Sequence, residues 1–214
     1  PKNIFTVDPK LFANHMELLH KDKGIEIVDL SQGLKEFDKN KLKVAVTFDD
    51  GFADTLYNVC PIMSSYKIPF SVFVVSDFVR KGIKNYLNQS ELLELSNMKG
   101  VTIGSHGLTH TPFTLLSSND LKNELDSSRK YLEDCIGEEV RSISYPHGKV
   151  NNKVINSVKN AGFLMGGTSQ FNINRYVNNP LKLKRNMISS FDSREVFMQK
   201  VYGSWDWYNL YSKF

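Results

Sequence analysis

Three observations predict an α/β fold, a distorted or incomplete (β/α) barrel behind an N-terminal helical extension. Strand-like and helix-like segments alternate from residue 42 onward. The run Phe70, Val72, Phe73, Val74, Val75 is apolar on both faces, as in a parallel strand covered on both sides. The chemistry-bearing residues cluster where strands end, and barrels of parallel strands gather chemistry at that edge.

The elements follow in order. Asp8-Pro9 supplies an N-cap and a first-turn proline, and Leu11, Phe12, Met16, Leu18 and Leu19 form the stripe of a first helix ending near Lys23-Gly24. A short helix is expected at 31–37 and the first strand at 42–48. Then come a helix at 55–66, a strand at 69–76, a helix opening at Ser90-Glu91 and running to 98, and a strand at 101–105. The long segment 117–136 places Leu121, Leu125, Ser128 and Leu132 on one face and stops at Gly137. A strand at 143–145, a helix at 151–160, strands at 163–166 and 181–188, and a helix at 193–201 complete the series. The expected division is a helical extension at 1–41 packed on a catalytic domain at 42–214, one structural domain in all.

At 214 residues there is material for one substantial core. Hydrophobic content of 41% and charged content of 23% fit a globular protein without low-complexity tracts. The net charge of +4 is dispersed, which argues against nucleic acid as a partner. Cys60 and Cys135, without a CxxC, read as free thiols rather than a disulfide or thiolate metal site. No apolar run reaches the ~18 residues of a membrane span. The chain opens at Pro1, so compartment stays open between cell envelope or exterior and cytoplasm.

Thr47-Phe48-Asp49-Asp50-Gly51 sets two carboxylates at the end of a strand, and the strand at 101–105 delivers His106 and His110. One Asp and two His make a metal triad, and the spare Asp is then free to accept a proton from water. Taken singly, Asp-Asp-Gly is an ordinary turn and the His pair a solvated helical turn. Together at strand ends of one domain, they favour the metal site. His15 and His20 are expected at the solvent face or edge of the first helix, Arg141 at the surface, and Trp205, Trp207 and Tyr208 either as a sugar platform or as a seal on the core.

These segments resemble the NodB-homology polysaccharide deacetylases, carbohydrate esterase family four, over roughly residues 42–190. The family's TFDDG motif is complete at 47–51. Its His-Ser/Thr-x-x-His motif looks like His106-Gly107-Leu108-Thr109-His110, with Gly107 in place of the hydroxyl residue that braces the loop. Its Arg-Pro-Pro-Tyr-Gly type turn is similar to Ser144-Tyr145-Pro146-His147-Gly148, with Ser144 and His147 at the usual Arg and Tyr positions. The late Leu-x-His motif has no counterpart, since no histidine follows His147.

The resemblance implies that Asp50, His106 and His110 hold a divalent ion, Zn²⁺ first and Co²⁺ or Ni²⁺ as alternatives, with Asp49 as the base. It implies that the His147 N–H helps hold an oxyanion and that Tyr145 and Pro146 lie on the substrate side; Arg185, on the last expected strand, is the candidate to stand in for the missing Arg on that side, its alternative reading being a plain surface or ion-pair residue. The proton donor is either the His147 side chain or Asp49 returning its proton. The implied activity is removal of N-acetyl groups from amino sugars of a polysaccharide or glycoconjugate. Rivals are deformylation or other amide hydrolysis on a lipid-linked or small substrate, and a non-catalytic, metal-containing carbohydrate-binding relative.

Overall fold

The computed structural model describes residues 4–31, 33, 40–175 and 177–207. Its centre is a five-stranded, all-parallel sheet in the order β3-β4-β5-β6-β7, curled into a half-barrel. The strands are β3 (Val46–Phe48), β4 (Phe70–Val74), β5 (Val101–Ser105), β6 (Ser142–Ser144) and β7 (Met165–Gly167). β4 is buried along its whole length, as its two-faced apolar run predicts. Because every strand points the same way, all five C-terminal ends open on one rim.

The expected strand at 42–48 is two strands. Val44 belongs to β2 (Leu42–Val44), which pairs in parallel with β1 (Ile25–Ile27), whereas Val46 pairs with Phe70 of β4. Ala45 is where the chain changes partners. β1 is three residues long, too short to leave an alternating pattern in the sequence.

The helices pack around this sheet: α1 (Pro9–Lys21), α2 (Cys60–Ser65), α3 (Ser76–Arg80), α4 (Gln89–Ser96), α5 (Ser118–Ile136), α6 (Asn152–Asn160) and α7 (Arg194–Val201). Their ends follow local chemistry. The Asp8 carboxylate accepts from Lys10 and Leu11 N–H at α1, and Ser117 caps α5 through Asp120 N–H. Gly137 closes α5 in the left-handed conformation at φ 75°. α4 starts at an Asn88–Glu91 capping box, slightly before the expected Ser90. The expected helix at 55–66 begins as a wide turn over Thr55–Val59, with Cys60 N–H reaching back to the Thr55 carbonyl, ahead of Pro61 in α2.

The expected strand at 181–188 does not form. Its first residues are a tight turn, Pro180–Lys182, and only Leu183 bridges the sheet, opposite Gly167. Beyond it, the Asn174 side chain takes the place of a strand partner, accepting from Lys184 N–H at 2.9 Å and donating to the Lys184 carbonyl at 2.8 Å. The segment stays extended, and Arg185 N–H donates to the Gln170 carbonyl at 3.1 Å. The expected helix at 31–37 lies, apart from Ser31 and Gly33, outside the described residues.

His15 is a further correction. It is 1% exposed, stacked on Phe197 of α7 at 4.2 Å, and its Nε2–H donates to the Asp192 carbonyl at 3.1 Å. The apolar stripe of α1 is therefore wider than its aliphatic residues indicate. His20 is exposed as expected.

Burial pushes the His15 imidazole below its ordinary value, with Arg194 and Lys200 adding to the effect and Asp192 opposing it. Between that lowered value and about 6.5 the unfolded chain binds the extra proton, so stability falls as pH drops through this window and is fully present above it. Denaturant melts of wild type and His15→Gln at pH 7 and pH 5 check this. Wild type is expected to lose more stability on acidification than the variant, and equal losses would contradict the assignment.

Candidate active site

Three strand ends converge on the rim, and each turns sharply. After β3 the chain passes through Asp50 (φ 73°) and Gly51 (φ 78°), two consecutive left-handed residues. Gly51 is required twice over, because a Cβ there would stand 3.0 Å from Val74 Cγ1 and 3.3 Å from Val74 Cα. His110 (φ 67°) and His147 (φ 57°) end the turns after β5 and β6. Of the five non-glycine residues with positive φ among those described, three are these site residues. Such strain persists where surrounding structure over-determines it, which is common at functional sites.

The Asp50 Oδ1 atom lies 3.3 Å from His106 Nε2 and 3.4 Å from His110 Nε2, and the three donor atoms fall within 4.8 Å of one another. His106 is 3% exposed, and its Nδ1–H donates to the Ser144 carbonyl at 2.8 Å. That bond fixes the tautomer and turns the Nε2 lone pair towards Asp50. Burial first, and the facing His106 ring second, push the His110 imidazole below its ordinary value despite Asp50. A neutral imidazole is a ligand rather than a partner in an ion pair. One carboxylate and two imidazoles, one with its second nitrogen already engaged, suit a divalent transition ion with positions left open.

Asp49 has a different environment. Arg185 grips it with both prongs, one terminal guanidinium nitrogen to Oδ1 and the other to Oδ2, each at 2.8 Å. The Ser144 hydroxyl donates to Oδ2 at 3.0 Å and accepts from Arg185 at 2.8 Å. Arg185 is itself steadied by the Thr168 carbonyl at 2.9 Å and lies over the Phe73 ring at 5.6 Å. Burial alone would raise the Asp49 carboxyl, but the guanidinium outweighs it and holds the group at about 2. With its side chain 34% exposed, the carboxylate still reaches solvent.

The other expected residues fall as follows. Tyr145 is 1% exposed, and its hydroxyl donates to the Leu181 carbonyl at 2.6 Å, so its side chain serves the core rather than a substrate. Pro146 is buried as well. His147 is exposed, with its ring 4.8 Å from that of His110. Arg185 contacts Asp49 and Ser144. Arg141 pairs with Glu139 at the surface. Trp205 and Trp207 stack at 6.0 Å beyond α7, Trp207 being 53% exposed, and Tyr208 lies outside the described residues.

An aromatic wall was not legible in the sequence. Tyr86 stacks on Phe52 at 4.5 Å and packs against Phe78 at 4.5 Å, while Phe78 lies 6.3 Å from the His110 ring. Burial raises the Tyr86 hydroxyl, and Asp50 adds to the effect, which sets it in the field of the triad. A tyrosine in a loop after Lys84-Asn85 carries no periodicity that could mark it.

Residues 37–166 match the family model described as Polysaccharide deacetylase. The chain belongs to the polysaccharide deacetylase family. It is 27% identical over 175 residues to YxkH of Bacillus subtilis (strain 168), covering 78% of this chain and 60% of that protein. Identity is also 27%, over 180 residues, to a poly-beta-1,6-N-acetyl-D-glucosamine N-deacetylase of Staphylococcus aureus (strain MRSA252), covering 76% and 60%. The chain thus spans about 60% of the length of these two relatives. Among solved structures, the Streptococcus pyogenes deacetylase PplD superposes with a TM-score of 0.84 at 22% identity, over 94% of this chain and 89% of that one, a likeness of fold.

The opposing effects on Asp49 can be separated. In metal-free Arg185→Met, burial is opposed only by the lesser effects of His106 and the Ser144 hydroxyl, and the Asp49 carboxyl is expected to titrate well above its wild-type value of about 2. Carbon-detected NMR titration of the Asp carboxyl groups reads this. An unchanged value would mean that the guanidinium does not control the acid.

Proposed function

We propose that the chain is a metal-dependent amidohydrolase that removes N-acetyl groups from amino sugars of a polysaccharide or glycoconjugate. One observation carries this assignment: an Arg-gripped, ionised Asp49 stands next in sequence to the carboxylate of an Asp50–His106–His110 triad, on the open rim of a parallel sheet. Family membership supports the chemistry. The name of the Staphylococcus aureus relative, which specifies poly-β-1,6-N-acetylglucosamine, supports an N-acetylglucosamine polymer as the first substrate to try.

Asp50, His106 and His110 would hold the ion, Zn²⁺ by its preference for this donor set, with Co²⁺ or Ni²⁺ as substitutes. When bound, it supplies Lewis acidity for the amide carbonyl and for water. Asp49 receives the proton of the attacking water. Return of that proton from Asp49 to the departing amine would complete the transfer. The His147 ring is the other candidate donor, exposed beside His110.

The His147 main-chain N–H lies in a left-handed turn and would be offered to a developing oxyanion. Tyr145 and Pro146 contribute by shaping that turn, and Arg185 by orienting the base. Phe52, 39% exposed on its stack with Tyr86, offers a flat apolar surface to a sugar ring. We assign the chemistry to residues 42–214, with 1–41 as an extension packed against them.

Acetate release from β-1,6-linked N-acetylglucosamine oligomers, with Zn²⁺ or Co²⁺ added, tests the proposal. Wild type is expected to release acetate, and Asp49→Asn to lose about 10² to 10⁴-fold in kcat. No release across β-1,6- and β-1,4-linked oligomers, or release that needs no metal, would overturn it. Formate or another acid released from a lipid-linked or small amide would instead favour a different amide substrate.

A further inference from the structure

Glu124 is a buried acid that this mechanism does not use. It sits on the inward face of α5, 5% exposed, among Leu121, Leu125 and Ser128. A buried carboxylate is costly unless hydrogen bonds replace its water. Its partners here are two backbone N–H groups and a hydroxyl, all on one oxygen: Leu108 N–H at 3.1 Å, Thr109 N–H at 2.7 Å and Thr109 Oγ1 at 2.9 Å. All three belong to the five-residue turn that begins with His106 and ends with His110.

The rest of that turn is held as closely. Gly107 N–H donates to Ser105 Oγ at 3.1 Å, and Ser105 Oγ lies 2.9 Å from Ser128 Oγ, one helical turn after Glu124 on α5. From the other side, the N–H and hydroxyl of Ser76 donate to the Gly107 carbonyl, each at 3.1 Å, and Asp77 N–H donates to the Leu108 carbonyl at 2.9 Å. The turn is therefore clamped between α3 and α5, and it ends at the left-handed His110.

Gly107 explains why the brace comes from α5. Its φ is +82°, and a Cβ there would lie 3.0 Å from Phe113 Cε1 and 3.3 Å from Glu124 Oε1. A side chain at this position has neither the backbone conformation nor the space. The hydroxyl that the resembled motif carries at its second position is replaced by a carboxylate arriving from a helix.

We propose that Glu124 is a positioning residue for metal binding: it holds the 106–110 turn so that both imidazoles meet Asp50, substituting for the motif's missing hydroxyl. This rests on the assignment of Asp50, His106 and His110 as ligands. A carboxylate bracing only the fold would contribute to stability and leave ion affinity unchanged. A carboxylate positioning the ligands changes the affinity and the symmetry of the site in a protein that is still folded.

Calorimetric titration of the metal-free protein with Co²⁺, with visible spectra of the bound ion and circular dichroism to confirm folding, separates the two. Glu124→Ala is expected to raise the Co²⁺ Kd about 10- to 100-fold and to alter the visible bands. Glu124→Gln keeps an oxygen but loses the charge, so a smaller rise is expected. If Glu124→Ala does not fold, Glu124→Gln decides: a rise of about threefold or more supports the proposal, and wild-type affinity overturns it. Wild-type affinity and spectrum in a folded Glu124→Ala protein would likewise overturn it while leaving the ligand assignment intact. Wild type that takes up neither Co²⁺ nor Zn²⁺ would overturn the ligand assignment and this proposal together.

Discussion

Two adjacent carboxylates at the end of one strand can serve two purposes only if something distinguishes them, and here a guanidinium does. Arg185 closes on both oxygens of Asp49, so that acid is neutralised in place and held away from a cation's coordination shell. Asp50, turned by its left-handed backbone, meets His106 and His110 instead. Without the guanidinium, two like charges side by side would compete for one ion, and one carboxyl would be driven towards protonation. The division of labour that the proposed chemistry requires is thus set before any substrate arrives. Ser144 ties the halves together, its hydroxyl on Asp49 and its carbonyl on His106.

Arg185 lies on a segment that the sheet barely supports, so its position has to be secured elsewhere. The Asn174 amide engages Lys184, Asn186 donates to the Lys200 carbonyl at 2.8 Å, and Lys200 donates to the Met187 carbonyl at 3.0 Å. Lys200 and Asp192 form a buried ion pair at 2.6 Å, and the Asp192 side chain also takes the N–H and hydroxyl of Ser189. Breaking such a pair leaves an unpaired buried charge at a cost of about 3 to 5 kcal/mol. α7, remote from the rim in sequence, therefore anchors the stretch that delivers the guanidinium.

Much of this was legible in the sequence wherever one local rule governs. The Asp8-Pro9 start, the Gly137 stop and the doubly covered strand β4 each follow from a residue's own backbone or burial preference. The triad was legible because its parts occupy two short motifs at strand ends. The failures share a cause, which is that a distant partner replaced a local one. Asn174 took over the backbone groups that would have made a strand of 181–188, and Ala45 changes sheets because β1 is available to β2. His15 is buried because Phe197 and Asp192 receive it. Glu124 received no role from the sequence, because the turn it braces exists only once α5 has packed against it. Tyr145 carried a motif's expectation of substrate contact, while its hydroxyl was already committed to Leu181.

The central claim is that Asp50, His106 and His110 share one divalent cation while Asp49 stays with Arg185. Diffraction data from crystals grown with Zn²⁺, collected on both sides of the zinc absorption edge, test it most directly. A single anomalous peak about 2.0 to 2.2 Å from Asp50 Oδ1 and both Nε2 atoms, with Asp49 still on the guanidinium, is the expected result. No peak among these side chains, or a peak with Asp49 as a ligand and Arg185 released, would contradict it.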